Sequence, residues 1–300
     1  MKKRELGNSG MFVSELGLGC MSLPENPTEA KNIIDAAFEA DINFFDTADL
    51  YASGNNESIV GEALKGRRDK VILSTKVGNR RIPGQDGWTW DPSKHHIIEA
   101  VKGSLKRLGT DYIDLYQLHG GTMEDDADEV IDAFDSLKKE GLIRQYGISS
   151  IRPNVIRRFL EKSTAVSVMM QYSMLDRRPE EWFSSIQKHN TSILTRGTLA
   201  KGLLTAEGIG RLKKANGFAE FGNVELQETL KIIHHQFEDV HASAIAFNLH
   251  NEAVASAIVG ASSTGQLLDS IIAYEKNVDS KMLDDISAAL VIHQYTEHRP

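Results

Sequence analysis

Short apolar runs alternate with helix-patterned segments along almost the whole chain. SELGLGCMSL (14–23) precedes a helix expected near 28–40, whose Ile33, Ile34, Ala37 and Phe38 share one face. INFFDTAD (42–49) precedes one near 57–65 built on Ile59, Val60, Ala63 and Leu64. KVILSTKVG (70–78) leads through a loop to a helix near 93–108 carrying Ile97, Val101, Leu105 and Leu108. DYIDLYQLHG (111–120) leads to a face made of Val130, Ile131, Phe134 and Leu137. IRQYGIS (143–149), SVMMQ (167–171), SILTRG (192–197) and ASAIVG (255–260) continue the series, and TGQLLDSIIAYEKN (264–277) reads as the last helix. Apolar positions three and four apart make a helix face, whereas short unbroken apolar runs suit strands covered on both sides.

Alternating strand and helix implies a parallel sheet with right-handed crossovers, and eight such units fit a closed barrel. The fold class expected is α/β, a single (β/α)8 TIM barrel spanning 1–300, with no linker-like composition shift and no sequence repeat. Ahead of it, KRELGNSGMFVS reads as a β-hairpin turning at Asn8-Ser9-Gly10 and seated at the barrel floor. Two segments break the rhythm, 79–94 with Trp88 and Trp90, and the Gly-, Lys- and Ala-rich 206–223. Both leave the carboxyl ends of strands, the barrel face on which active sites are built.

The length of 300 residues suits either two ordinary domains or one barrel of typically ~250 residues, so the pattern decides. A net charge of −8, from 34 basic and 42 acidic residues, argues against nucleic acid or an anionic membrane as partner. Cys20 is the only cysteine, which excludes an intrachain disulfide and points to a reducing compartment. MKKRELGNSG has no apolar stretch behind its basic residues, so it is not a signal peptide, and no apolar run approaches the ~20 residues of a membrane span. The expected location is cytoplasmic, and oligomeric state is not set by the sequence, a monomer being compatible with it.

At the carboxyl ends of the strands lie Gly19-Cys20-Met21, Asp46, Lys76, His119, Ser149, Gln171, Arg196-Gly197 and Gly260-Ala261-Ser262. Tyr51 follows Asp46 by five residues. Taken singly, an Asp before a turn is ordinarily a turn former, a strand-end Lys is solvated, and a half-buried Tyr or His is packed or hydrogen-bonded. Their conjunction weakens those readings together. Neighbouring barrel strands bring three ionisable side chains and a phenol to one rim, where unpaired charge is costly.

DTADLY followed by GEAL, then VILSTKVG, YIDLYQLH and RQYGIS, resembles the aldo-keto reductases, and the likeness runs from LGLGCM to VGASSTGQL. The resemblance implies a barrel that binds a nicotinamide cofactor at the strand C-termini and reduces a small-molecule carbonyl. It places Asp46, Tyr51, Lys76 and His119 on the family's catalytic tetrad. Carbonyl reduction needs hydride from the cofactor and a proton from the protein. Tyrosine's ordinary pKa near 10 is high for that role, so an adjacent ammonium that favours phenolate is required. The roles implied are Tyr51 as general acid, Lys76 as the modulating cation, Asp46 as its orienter and His119 as a hydrogen-bond donor to the carbonyl oxygen.

The same resemblance sets Ser149, Ser150 and Gln171 against the nicotinamide amide, and Arg196 where relatives carry a stacking aromatic. Gly19, Cys20, Met21 and Asp46 line the reacting end. Gly197, Thr198, Leu199, Lys201 and Gly202 fall on the pyrophosphate clasp, and Gly260, Ser262, Ser263, Gln266 and Ser270 on the adenosine end. The cofactor expected is NADP(H), with NAD(H) as the alternative because Arg or Lys is missing from 259–270. Met21, Tyr51, Trp88, Trp90 and His119 are the expected substrate pocket, and 206–223 is expected to be mobile without cofactor. Asp49 is read as a loop residue. GLGCMS lacks the third glycine of a dinucleotide fingerprint. The adjacent pairs His95-His96, His234-His235 and Asp125-Asp126 point apart, so no metal site is expected. The competing class is a cofactor-binding redox-sensing subunit with little turnover, built on the same fold and motifs.

Overall fold

The protein is described from a computed structural model covering residues 1–82, 87–212 and 217–300; residues 83–86 and 213–216, inside the two rhythm-breaking segments, lie outside the described residues. Eight strands, β1 (Leu16–Gly19), β2 (Phe44–Asp46), β3 (Ile72–Val77), β4 (Ile113–Leu118), β5 (Ile143–Ser149), β6 (Ser167–Gln171), β7 (Ser192–Arg196) and β8 (Val254–Gly260), close into a barrel. Each pairs in parallel with its neighbour in sequence, and β8 pairs with β1 to complete the ring. Parallel pairing follows from returning every strand through a helical crossover.

Side chains alternate across each strand. Phe44, Leu115, Met169, Leu194 and Ile258 pack together in the lumen, whereas Phe45, Leu73, Tyr116, Met170 and Ile193 join the larger cluster between sheet and helices. The same period carries Phe44 to Asp46, Ser74 to Lys76, and Leu115 to Gln117 and then His119. The lumen is therefore apolar below and polar at the carboxyl mouth.

The floor is sealed by the hairpin. Lys3–Glu5 pairs antiparallel with Phe12–Ser14, and Leu6 N–H donates to the Met11 carbonyl at 2.8 Å across the turn. Leu6 and Val13 enter the lumen cluster. Gly7 sits at φ +59, its N–H donating to Ser192 Oγ at 2.8 Å. A Cβ there would come within 2.7 Å of the Val166 and Asn190 carbonyl oxygens, so only glycine seats the hairpin under β6 and β7.

Among the described residues ten longer helices surround the barrel: α1 (Pro27–Glu39), α2 (Asn55–Ala63), α3 (Lys94–Leu108), α4 (Ala127–Lys139), α5 (Pro153–Lys162), α6 (Glu180–Gln187), α7 (Asn223–Gln236), α8 (Val240–His250), α9 (Thr264–Glu275) and α10 (Ser280–Ala289). Several of their starts carry side-chain caps: Asn26 accepts from the Thr28 and Glu29 amides, Ser93 from His96, Asp126 from Asp128 and Glu129, and Asp239 from Ala242.

The expected helices sit within one turn of the observed ones, but three features differ. The run 14–23 yields a strand only over Leu16–Gly19, after which Cys20–Ser22 forms a 3-10 turn. Between β7 and β8 the chain makes both α7 and α8; α8 is buried on almost every side, so it lacks the polar stripe that marks a surface helix. The segment after β3 forms a small ribbon of Asn79–Arg80 against Thr89–Trp90. Among the described residues no helix is long and apolar enough to cross a membrane.

Candidate functional site

The inward alternation of β2, β3 and β4 delivers Asp46, Lys76 and His119 to one side of the barrel mouth. Lys76 is 1% exposed, and its ammonium donates to Asp46 Oδ2 at 2.6 Å, to the Thr47 carbonyl at 2.7 Å and to the Tyr51 hydroxyl at 3.4 Å. All three ammonium hydrogens thus have acceptors. Asp46 is held in turn by Ser74 Oγ at 3.0 Å and by Gln117 Nε2 at 3.4 Å, and Gln117 also donates to Ser74 at 2.8 Å. Burial acts to lower the Lys76 pKa, but the Asp46 carboxylate and the Tyr51 phenol outweigh it, and the group ends above its ordinary value. Burial, opposed by the Lys76 charge, lifts the Asp46 carboxyl above its usual range. The pair is a fixed, fully directed cation at the foot of a phenol.

Tyr51 reaches that cation through an unusual turn. Ala52 and Ser53 adopt left-handed φ values of 45° and 59°, and Gly54 follows at 88°. Non-glycine residues in that region carry strain that only surrounding structure can hold. Here the result sets the Tyr51 ring 5.0 Å from Lys76 Nζ and edge-on to His119 at 6.0 Å between centroids. The His119 backbone N–H donates to the Val77 carbonyl at 2.7 Å, and Asn79 Nδ2 donates to the His119 carbonyl at 3.3 Å. Its Nδ1 is enclosed without a partner. Burial first, then the charges of Lys76 and Arg196, bring the His119 pKa down to about 3. The imidazole is neutral at physiological pH.

Behind this group lies a carboxylate the sequence reading passed over. Glu57 is fully buried, accepting from Thr75 Oγ1 at 2.6 Å and from Arg107 Nε at 2.7 Å, which ties α2 and α3 to the strand that carries Lys76. Asp49 lies in the turn after β2, as expected of a loop residue, with its Oδ1 enclosed without a hydrogen-bond partner; burial, then Glu57, push its pKa up to about 7.

A continuous cavity of about 2050 Å3 opens over the four residues and runs along the mouth to α9. At the reacting end it is lined by Gly19, Met21, Asp46, Tyr51, Lys76 and His119. Trp90 lies against Gly78 and Gly120 and donates from Nε1 to Asp125 at 2.8 Å, whereas Trp88 stands more than half exposed at the rim. Cys20 corrects the expectation for the first strand end. Its thiol is wholly buried in the core outside the cavity and donates to the Leu18 carbonyl at 3.7 Å, with burial raising its pKa.

Ser149 and Ser150 reach the cavity from the end of β5, and Gln171 and Arg196 from β6 and β7. Gln171 Nε2 donates to Asp176 Oδ2 at 2.8 Å, which turns its Oε1 toward Arg196 Nη1 at 3.1 Å. Asp176 accepts from Arg178 Nε and Nη2, each at 2.7 Å, and Arg178 Nη1 reaches Glu220 at 2.6 Å. The amide of Gln171 is thereby oriented from behind, and the orienting ion pair is fastened to the segment after β7. Gly197, Thr198, Leu199, Lys201 and Gly202 line the middle of the cavity. Gly197, Ala200, Lys201 and Gly202 have φ of 75°, 46°, 57° and 84°, a tight winding that leaves Lys201 exposed beside the cavity.

At the far end Gly260, Gln266 and Ser270 line the space, but Ser262 and Ser263 do not. Ser263 Oγ caps α9 by accepting from the Gln266 amide at 3.3 Å, and Ser262 donates through N and Oγ to Gln266 Oε1 at 2.9 and 3.0 Å. Each hydroxyl is engaged at its own helix start, Ser262 as donor and Ser263 as acceptor, so Ser263 keeps its hydrogen to donate. Sequence reasoning missed His241 of α8, whose Nε2 meets Ser270 Oγ at 3.1 Å and which lines the cavity. It also missed Ser74 and Gln117, although each lies two residues before a residue it did select, on the same strand face.

A dinucleotide fits this arrangement. The cavity offers an oriented amide oxygen, a hydroxyl and a planar cation beside the tetrad, a cationic side chain midway, and Gln266, Ser270 and His241 at the end. The family model described as aldo/keto reductase family matches residues 15–291. An uncharacterized oxidoreductase of Bacillus subtilis (strain 168) is 51% identical over 276 residues, 90% of each chain. An NADP(+) aldo-keto reductase of Schizosaccharomyces pombe is 30% identical over 228 residues, covering 72% of this chain and 65% of that one. Aldo-keto reductase AKR11C1 from Bacillus halodurans, in its holo form, superposes with a TM-score of 0.95 at 50% identity over 100% of both chains.

Proposed function

The chain belongs to the aldo-keto reductase family and is an oxidoreductase, and from that premise we propose that it reduces aldehydes or ketones to alcohols with NADP(H), using Tyr51 as the proton donor. The observation that carries the reading is the Lys76 ammonium, buried and shared between Asp46, the Thr47 carbonyl and the Tyr51 hydroxyl at the mouth of the lumen. When bound, the reduced nicotinamide supplies the hydride.

The chain's own residues do the rest. Tyr51 gives its proton to the carbonyl oxygen, and the ammonium 3.4 Å away stabilises the phenolate left behind. Asp46 keeps that ammonium charged and aimed, since an unpaired charge at such depth costs several kcal/mol, about 3–5 by removal of one partner. His119, neutral and with Nδ1 enclosed, offers Nε2 to the carbonyl oxygen as negative charge develops there. Ser149 and the oxygen of Gln171 meet the carboxamide, which needs both an acceptor and a donor. Trp88, Trp90 and Met21 form an apolar rim suited to a small carbonyl compound. NADP(H) is preferred over NAD(H) because a relative carries NADP(+) in its name; Lys201, exposed beside the cavity, would face the pyrophosphate common to both. The single buried thiol accords with a cytoplasmic setting.

Following the loss of reduced-nicotinamide absorbance with a panel of aldehydes and ketones tests the reading. Turnover of at least one class is expected; tight cofactor binding with no turnover of any of them would refute it.

A further inference from the structure

Residues 290–299 leave α10 and run without regular structure to α5 and α6. Three sets of bonds fasten this strap. Arg177 Nη1 donates to the Ser287 and Leu290 carbonyls at 2.6 and 3.3 Å where α10 ends. The Asn154 amide of α5 donates to the His298 carbonyl at 2.9 Å. Arg299 donates to both carboxylate oxygens of Glu181 on α6 at 2.8 and 2.9 Å, and to the Tyr295 carbonyl at 3.1 Å. So held, the strap buries Tyr295 in the main core cluster, with the Arg178 guanidinium carbon 4.9 Å from its ring centroid. The Tyr295 hydroxyl is enclosed without a hydrogen-bond partner, so the ring rather than the phenol oxygen makes the contact.

Neither Tyr295 nor Arg178 lines the cavity. Arg178 commits Nε and Nη2 to Asp176 at 2.7 Å each and Nη1 to Glu220 at 2.6 Å, and the aromatic ring adds a cation–π contact to those bonds. Asp176, itself buried, accepts from Gln171 Nε2 at 2.8 Å, which fixes the end of that amide that faces the cavity. Arg196 Nη1, 3.1 Å from Gln171 Oε1, favours the same orientation. We infer that Tyr295 is a positioning residue for the cofactor's carboxamide: by seating Arg178 it keeps Asp176 on Gln171 Nε2, and so keeps Gln171 Oε1 as the acceptor. With Arg178 slack, the Gln171 amide turns over part of the time and presents donors where the carboxamide N–H needs an acceptor.

This inference rests on the proposed function, in which Gln171 meets the carboxamide, and its test separates the two. Wild type, Tyr295→Phe and Tyr295→Leu are titrated by protein fluorescence with NADP+ and with its 3-acetylpyridine analogue, in which a methyl ketone replaces the carboxamide and its N–H donors. The quantity read is the ratio of the analogue's dissociation constant to that of NADP+. A general loosening of the site weakens both ligands alike and leaves that ratio unmoved. Tyr295→Leu fills the space without an aromatic face and should lower the ratio about threefold, the small scale reflecting one cation–π contact and the second hold from Arg196. Tyr295→Phe should keep the wild-type ratio. In an Arg178→Gln background Tyr295→Leu should change nothing further. Adenosine 2′,5′-bisphosphate, which has no nicotinamide, should bind wild type and Tyr295→Leu equally. An unchanged ratio in Tyr295→Leu, a drop as large in Tyr295→Phe, or an equal loss of bisphosphate affinity overturns the inference. Failure of wild type to bind NADP+ would instead refute the proposed function beneath it.

Discussion

A neutral His119 has a consequence for stability that can be worked out. Its pKa falls from an ordinary 6.5 to about 3 in the folded protein, through burial and then the Lys76 and Arg196 charges. Between those values the unfolded chain binds a proton that the folded chain refuses, so stability rises with pH across the window and is lost as pH falls through it. Near pH 7 the contribution is almost fully present. Near pH 4.5 the unfolded histidine is protonated and the folded one is not, and with 1.36 kcal/mol per unit the loss is about 2.5 kcal/mol. Other carboxylates and histidines titrate over the same range, so the comparison is made against His119→Gln, which keeps a polar side chain without a titrating group. Urea unfolding of both proteins near pH 7 and pH 4.5 isolates the difference. Wild type should lose about 2.5 kcal/mol more than the variant. Equal losses would refute a buried neutral imidazole. An acid limb in turnover near 6.5 that disappears in the variant would refute it independently.

Three further outcomes rest on the same geometry. Asp46→Asn replaces the neutralising carboxylate with a neutral amide, leaves the buried Lys76 ammonium only uncharged acceptors, and should cost about 3–5 kcal/mol near neutral pH. In wild type the raised Lys76 value keeps its contribution present below the unfolded pKa and loses it as pH rises through the folded one, so the gap to Asp46→Asn should narrow in alkaline denaturation; a constant gap counts against the pair. Gly78→Ala places a Cβ 2.5 Å from the Trp90 ring at a φ of +126°, and should displace the indole and destabilise by about 2–3 kcal/mol. Unaltered near-ultraviolet dichroism and unaltered KM would contradict that contact. Glu220→Ala removes the 2.6 Å tie from Arg178 to the segment after β7. It should hasten proteolysis within 206–223 and weaken cofactor binding about threefold, the small scale reflecting an exposed partner; unchanged cleavage would show that the tie does not hold the segment.

The barrel and the tetrad were legible for one shared reason. Period-two alternation fixes which residues of a strand face the lumen, and position at the carboxyl end fixes which of them reach the mouth. Asp46, Lys76 and His119 satisfy both conditions. Tyr51 does not lie on a strand, and the turn that brings it in uses Ala52 and Ser53 at positive φ, a conformation no residue type there announces. Cys20 faces the core because β1 ends at Gly19 and the chain turns there into a 3-10 helix, breaking the strand alternation. Ser262 and Ser263 have the right chemistry for a phosphate, and the structure sets Ser262 on the Gln266 side chain and Ser263 on the start of α9, outside the cavity lining, a placement residue type alone does not show. Asp176 and His241 act at the cavity from elements whose place depends on packing, one in the turn after β6 and the other on a helix without a polar stripe.

On the proposed function Tyr51, set beside a buried ammonium, supplies the proton. Tyr51→Phe removes one hydroxyl and leaves the Lys76–Asp46 pair, the lumen and the cavity in place. Single-turnover carbonyl reduction by this variant, alongside a cofactor titration, separates proton donation from cofactor binding. Cofactor affinity within about twofold of wild type with reduction slowed by about 10^2–10^4 is the expected result for loss of a general acid. Reduction at close to the wild-type rate, with the cofactor bound equally well, would contradict it.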